Sequence, residues 1–381
     1  MLRQLARLAR PVPFAGPGAL AIAVYADALN QPIRAAQAGY EGVACVDDAA
    51  RALELYCDLW KATASPWVRR WCEGLLDFVL AMQGADGRWL NFILDWEGAP
   101  NQETRTSVAG GAFWQARALL AVARAGQVFD GDARIDDSLN RGLPHIIEAT
   151  DVPADVRALH IRTALILLES GDDRGLLDEV ALWSDEVAGC RDGDRLMNST
   201  DERGMPHLWG HIQEGVLADA GVRLGRHDLV VTGCRSADLV FRTVVMSGFD
   251  LDRTQPYDVA SAVYALTRIA DVTGTATYAA LAGMARSWFD RRNAAGQPVY
   301  DRRAGRVSDG VDGRRVSENS GAEANIVAAQ ALFEDTAKLV KRLSTREALP
   351  APGARPRPRP VRGPGRPGGQ VQRPYSCRHL S

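Results

Sequence analysis

The six cysteines of this 381-residue chain include no CxxC pair, and no histidine stands beside them at ligand spacing. That excludes a zinc site of ordinary spacing and a dense disulfide framework, so the thiols read as reduced and mostly buried, and no metal is expected. No Gly-rich nucleotide fingerprint of the strand–turn–helix kind is present, which argues against sugar-nucleotide transfer by this polypeptide alone. Long apolar runs are missing too. The segment Gly18 to Ala26 is far too short to span a bilayer. Pro11, Pro13 and Pro17 interrupt what would otherwise look like a signal peptide, so a cytoplasmic protein is expected. Finally, positive charge is scarce where it would matter. Residues 350–381 hold seven arginines and no acid, which leaves 38 basic residues against 47 acidic ones in the rest, a net of −9. An acidic body is a poor nucleic-acid surface, because such surfaces need clustered cations to displace counterions.

What is present is helical periodicity. Apolar residues recur at three- and four-residue spacing over 47–62, 67–83, 108–126, 136–148, 154–170, 174–188, 207–224, 229–245, 257–273, 276–291 and 321–343, and residues near 17–38 could supply one more helix. No convincing strand pairs interrupt them. Pairs of helices repeat every 45 to 55 residues or so, as stacked hairpins do. Three connections, Gly84–Ser107, Asn198–His207 and Asn293–Ser320, mix carboxylates, amides, aromatics and glycines. Loops of that length inside a compact body are usually functional. A ring that gathers them into one cleft is favoured over an open solenoid. From about Leu349 the chain turns to Pro, Arg and Gly without apolar periodicity, and disorder is expected there.

Four segments could carry chemistry. In Val46-Asp47-Asp48-Ala49-Ala50-Arg51, one acid can cap the helix that follows, leaving its neighbour and Arg51 for a cleft floor. Asp86 to Glu97 alternates aromatics with hydrogen-bonding groups, and Asn91 and Trp96 suit a sugar hydroxyl and a pyranose face; the plainer alternative is tryptophans that plug the hairpin below. Gln255-Pro256-Tyr257-Asp258 opens a helix, with Pro256 and Asp258 fitted to its first turn. Asp309-Gly310, followed by Asn319-Ser320-Gly321-Ala322-Glu323, sets two acids before and at a further helix start. His207 and His211 lie four apart with no carboxylate ligand at matching spacing, so packing or sugar contact is expected of them rather than metal.

Taken in this order, these segments resemble a bacterial and archaeal family of six-hairpin, glycosidase-like domains. That family's pattern has Val-Asp-Asp-Asn-Ala-Arg, Asp-Gly-Arg-aromatic-x-Asn-Phe, Gln-Pro with an acid two residues on, Asp-Gly-Leu, and Asn-x-Gly-Ala-Glu-Ser-Thr. The likeness spans about residues 25 to 340, and this chain departs from it at Ala49, Val311 and Ala324-Asn325.

The resemblance implies an all-α, (α/α)6 toroid over residues 1–348 with a disordered tail at 349–381, no cofactor, and a carbohydrate substrate. Some relatives follow a glycosyltransferase domain, which implies such a partner. With the acidic loops, it implies a glycoside hydrolase-like, inverting reaction by paired carboxylates, Glu323 or Asp309 acting with Asp48, with the roles of acid and base left open between them. Asp47, Arg51, Asn91, Trp96, Gln255, Asp258 and Asn319 would hold the sugar. The departures keep open a non-catalytic carbohydrate-binding or partner module. Epimerisation or lysis on the same fold would call on His207 or His211 as base.

Overall fold

The computed structural model describes residues 1–26, 31–32, 41–171 and 173–344. The expected tail lies outside the described residues, as do 27–30 and 33–38 of the helix expected near 17–38; the described part of that segment is not helical, because Leu20–Ile22 pairs as a strand with Ala9–Pro11. Thirteen α-helices are described: α1 (Leu2–Leu8), α2 (Val46–Thr63), α3 (Pro66–Ala81), α4 (Ala112–Gly126), α5 (Ala133–Ile147), α6 (Ala154–Leu168), α7 (Arg174–Gly189), α8 (Gln213–Leu224), α9 (His227–Met246), α10 (Pro256–Thr273), α11 (Ala276–Arg286), α12 (Ala322–Ala331) and α13 (Phe333–Ser344).

Burial sorts them into two layers. In α5 the buried positions are Ile135, Ser138, Gly142 and Ile146, and in α7 they are Val180, Trp183, Ser184 and Val187. Each set is one stripe at helical spacing, the mark of an outer helix with a wet face. By contrast, α4 and α6 are buried on nearly all sides, which only an inner helix surrounded by neighbours can be. Contacts run from α2 to α4, α6, α8, α10 and α12, then back from α12 to α2, so the six inner helices close into a ring. Outside it, α3, α5, α7, α9 and α11 each pack on the inner helix that precedes them, and α1 lies against α12. This is the (α/α)6 toroid expected from the hairpin repeat. Among the described residues no helix is long and apolar enough to cross a membrane.

Three other expectations need correction. Residues 207–212 are loop rather than the start of α8, because Gly210 takes a left-handed φ of 73° and turns the chain before Gln213. The expected helix over 321–343 is two, broken at Leu332. Strand pairs do exist, although each strand is only two or three residues long and so carries no readable alternation. Ala44–Cys45 pairs with Phe92–Ile93, and Val311–Asp312 pairs with both Arg253–Thr254 and Arg315–Val316. These ladders pin the long loops over the ends of α2, α10 and α12.

Candidate active site

The loops and the N-termini of the inner helices meet at one end of the ring. Five of those helices carry an acid in the first turn: Asp47 and Asp48 on α2, Asp155 on α6, Glu214 on α8, Asp258 on α10 and Glu323 on α12. Free backbone N–H groups and the positive end of the helix dipole favour acids there. Neither Asp47 nor Asp48 caps α2, contrary to the sequence reading. The cap is Cys45, whose Sγ accepts the Asp48 amide at 3.4 Å, and the Asn91 side-chain oxygen accepts the Asp47 amide at 3.1 Å. Both acids are thereby released for other work.

Arg51 and Arg117 organise the floor. Arg51 Nη2 donates to Asp47 Oδ2 at 2.9 Å and to Asp48 Oδ1 at 3.0 Å, while its Nη1 donates to Glu323 Oε2 at 2.8 Å. Arg117 reaches in from α4, donating to both oxygens of Asp47 and, through Nη2, to the Tyr257 hydroxyl at 2.9 Å. Both guanidinium groups also lie over the Tyr257 ring, 5.1 and 5.7 Å from its centroid, the geometry of a cation–π contact. Burial alone would raise the Asp47 pKa, but Arg117 and Arg51 outweigh it and hold Asp47 below the usual carboxylate range. Asp48 goes the other way. Its own burial, with Glu323 and Asp47 nearby, pushes it up to about 7 despite Arg51. With 2% of its surface exposed, Asp48 reaches the cleft only through Arg51.

One wall is built by the loop before α12. Gly310 packs so tightly that a Cβ there would stand 2.6 Å from the Thr254 carbonyl oxygen, which brings Asp309 beside the start of α10. Asp309 Oδ1 accepts the Gly321 amide at 2.6 Å, joining it to the start of α12 as well. Burial raises the Asp309 pKa to about 6, with the Gly321 hydrogen bond opposing and Glu323 adding to it. Asp258, 8% exposed, closes a capping box in which its Oδ2 accepts the Gln255 amide at 2.7 Å. Burial raises it to about 7, the Gln255 hydrogen bond opposing and Glu323 again adding. Glu323 itself is the reachable acid of the group, with 35% of its side chain exposed.

The opposite wall carries the histidines. His207 stacks on Trp209 with ring centroids 4.0 Å apart, and its Nε2 lies 3.7 Å from Asp155 and 3.8 Å from Glu202. Burial lowers its pKa, Glu202 opposes this, and His211 adds to the lowering. Trp209 meets Phe113 of α4 at 5.7 Å, and Gly210 lies against the Tyr257 hydroxyl, so this wall adjoins the floor. His211 is 0% exposed, fixed between Asn198 Oδ1 at 2.7 Å and Glu214 Oε1 at 2.9 Å. Of the two expected histidines, then, only His207, 29% exposed, is open to a ligand.

Asp47, Asp48, Arg51, Asp258, Asp309 and Glu323 therefore come together at one place. Asn91 adjoins them, but its amide nitrogen donates to the Thr106 carbonyl and its oxygen is engaged at α2, so it serves the helix start. Gln255 likewise acts as the cap of α10, and Asn319 contributes its backbone carbonyl, which accepts the Asp309 amide at 3.0 Å. Trp96 packs half-buried against the core; Trp89 is fully buried, its indole N–H donating to the Val79 carbonyl. Arg117, Tyr257 and Asp155 belong to the site and were not singled out from the sequence. Arg117 and Arg124, seven apart and the only charged residues on a mostly apolar helix, were the available signal for the first of them.

No protein-family model matches the chain, and no curated protein matches it in sequence. Solved structures do match in fold. A sugar epimerase from a ruminal bacterium superposes with a TM-score of 0.67 at 12% identity, over 91% of this chain and 96% of that one. A D-mannose isomerase gives 0.66 at 9% identity, over 89% and 96%. A GH76 α-mannanase from Bacteroides thetaiotaomicron gives 0.56 at 12% identity, over 81% and 89%. At these identities the likeness is one of fold: the chain has the six-hairpin, glycosidase-like architecture.

Proposed function

We propose that the chain is a carbohydrate-active enzyme that cleaves an oligo- or polysaccharide by general acid–base catalysis, in the manner of an inverting glycoside hydrolase. One observation carries this reading: a reachable carboxylate, Glu323, stands among buried carboxyl groups, Asp309 and Asp258, whose burial raises their pKa values toward neutrality. Hydrolysis needs that division of labour. Asp309 gives its proton to the glycosidic oxygen as the C–O bond breaks. Water attacks the anomeric carbon and loses its proton to Glu323. Inversion needs the two carboxyl groups roughly 6.5–9.5 Å apart to admit both sugar and water. Asp48, sealed beneath Arg51, acts by positioning rather than by proton transfer. That the fold neighbours are named for acting on sugars supports a carbohydrate in the cleft.

The test is reducing-end release from a panel of oligo- and polysaccharides, comparing the wild type with Glu323→Gln. Cleavage that the variant loses is expected; cleavage that the variant retains removes the reading. Binding without turnover points instead to a carbohydrate-binding module.

A second reading rests on His207, which is open to the cleft, tends to the neutral form and is backed by Asp155 and Glu202. Such an imidazole suits proton abstraction beside a sugar carbonyl, the step common to epimerisation and isomerisation. Deuterium from D2O appearing at C2 of a reducing sugar, and lost in His207→Gln, is the outcome that would favour it.

A further inference from the structure

The polar groups of the floor form one continuous string. From α10 to α12 it runs Tyr257 hydroxyl, Arg117, Asp47, Arg51, Glu323, with every link a hydrogen bond and members from four of the six inner helices. Glu323 depends on it. The one side-chain partner of its carboxylate among the described residues is Arg51, which donates to Oε2. Arg51 is fixed in turn by Asp47, by Asp48 and by the Tyr257 ring. Asp47 would be free to follow Arg51 were it not clamped from the other side by Arg117, whose fork is oriented by the Tyr257 hydroxyl. Tyr257 therefore touches the string twice, through its ring and through its oxygen.

We infer that Tyr257 and Arg117 are positioning residues, which set the place of Glu323 through Arg51. This rests on the reading of Glu323 as a reacting carboxylate for its catalytic consequence, but not for its structural one. A planar guanidinium whose Nη1 and Nη2 bond different partners, as Arg117 does with Asp47 and Tyr257, fixes a direction as well as a charge, which a lysine cannot do. Small displacements of a reacting group are costly in rate, so a residue three hydrogen bonds removed, as Arg117 is from Glu323, can govern kcat without touching the sugar.

The structure also supplies a route for a chemical test. Arg51, Arg117 and Tyr257 line, from below, an axial cavity of about 1020 Å³ that runs along the ring past Glu54 and Arg162. Truncating Arg117 to alanine opens a guanidinium-sized hole onto that cavity, where free guanidinium ion can enter.

The experiment uses Arg117→Ala and Tyr257→Leu in the full chain, each measured with and without 50 mM guanidinium, roughly the range below which it denatures little, and with urea as the neutral control. The first readout needs no substrate: the rate at which a water-soluble carbodiimide labels Glu323, followed by mass spectrometry. Labelling several-fold faster in both variants, and slowed again by guanidinium but not urea in Arg117→Ala, is expected. The second readout is kinetic. In Arg117→Ala, kcat falls about 100-fold, within the range seen for misplaced catalytic groups, while KM changes little, and guanidinium restores at least a tenth of it. Unchanged labelling in both variants overturns the inference, whatever the kinetics; so does rescue by urea equal to that by guanidinium. If labelling responds as expected but no glycan is turned over even by the wild type, the positioning role stands and the hydrolase reading alone falls.

Discussion

The two halves of the ring interior are both charged, yet they treat their charges differently. In the half toward the C-termini of the inner helices, each acid has an arginine against it: Glu54 with Arg162, Asp58 with Arg124 at 3.4 Å, and Asp219 with Arg268 at 2.7 Å, where Arg268 also meets Asp271 at 3.1 Å. In the half toward the N-termini, Asp47, Asp48 and Glu323 gather around the guanidinium groups of Arg51 and Arg117, while Asp258 and Asp309 feel the charge of Arg253, and Arg306 acts on Asp309 as well. There Glu323 Oε1, Asp309 Oδ2 and Asp258 Oδ1 accept no hydrogen bond from the described residues. Six helices arranged in a ring leave an axial space, which charged side chains such as Glu54 and Arg162 share with apolar ones such as Leu55, Leu120 and Leu159. Where the charges are matched they serve the fold; where acceptors are left over, the site is open to a proton or a ligand.

That contrast can be broken at either end. The largest effect is expected from Glu323→Gln, with kcat down by about 10³-fold, in the usual range for a lost acid–base group, and Asp309→Asn close behind; steady-state kinetics at constant folded fraction checks both. Next comes Arg162→Met at the matched end. It strands Glu54 as a buried unpaired charge and should cost about 3 kcal/mol by urea unfolding, a loss that adding Glu54→Leu largely reverses. Catalysis per folded molecule should not change.

Asp258→Asn sharpens the comparison through pH. The folded-state value of Asp258, about 7, lies above that of an unfolded aspartate, so the native state binds the extra proton, and wild-type stability falls as pH rises from about 4 through 7. Asparagine mimics the protonated form and can still accept the Gln255 amide. The variant should match the wild type near pH 4 and exceed it by on the order of 1 kcal/mol at pH 8, read from unfolding midpoints. The smallest effect belongs to Lys338→Ala. Its 3.7 Å pair with Glu334 is solvent-exposed, and its loss should move stability by no more than about 0.5 kcal/mol.

Much of the ring was readable because it rests on local pattern. Stripes such as Ile135, Ser138, Gly142 and Ile146 announce an outer helix, and Pro256 and Asp258 mark where α10 begins. The acids of the cleft were also visible, since a first-turn acid after a loop is a local signal. Their partners were not. Arg117 lies 70 residues from Asp47 and 140 from Tyr257, and Arg51 lies 272 from Glu323, so the floor exists only once the ring closes. Cys45 as a cap was missed for a different reason: a thiol is a weak acceptor, and two aspartates beside it are far better ones. The tryptophans divide: Trp89 is the plug that the plainer alternative expects, whereas Trp96 is only partly buried against the core.

The central claim is that the unmatched end performs chemistry and the matched end holds the ring together. It is tested most directly by measuring kcat on one glycan, alongside the urea midpoint, for Glu323→Gln and Glu54→Gln. The account predicts that Glu323→Gln loses kcat at an unchanged midpoint, while Glu54→Gln keeps kcat and unfolds at lower urea. Equal losses of kcat in the two variants, or full activity in Glu323→Gln, would contradict it.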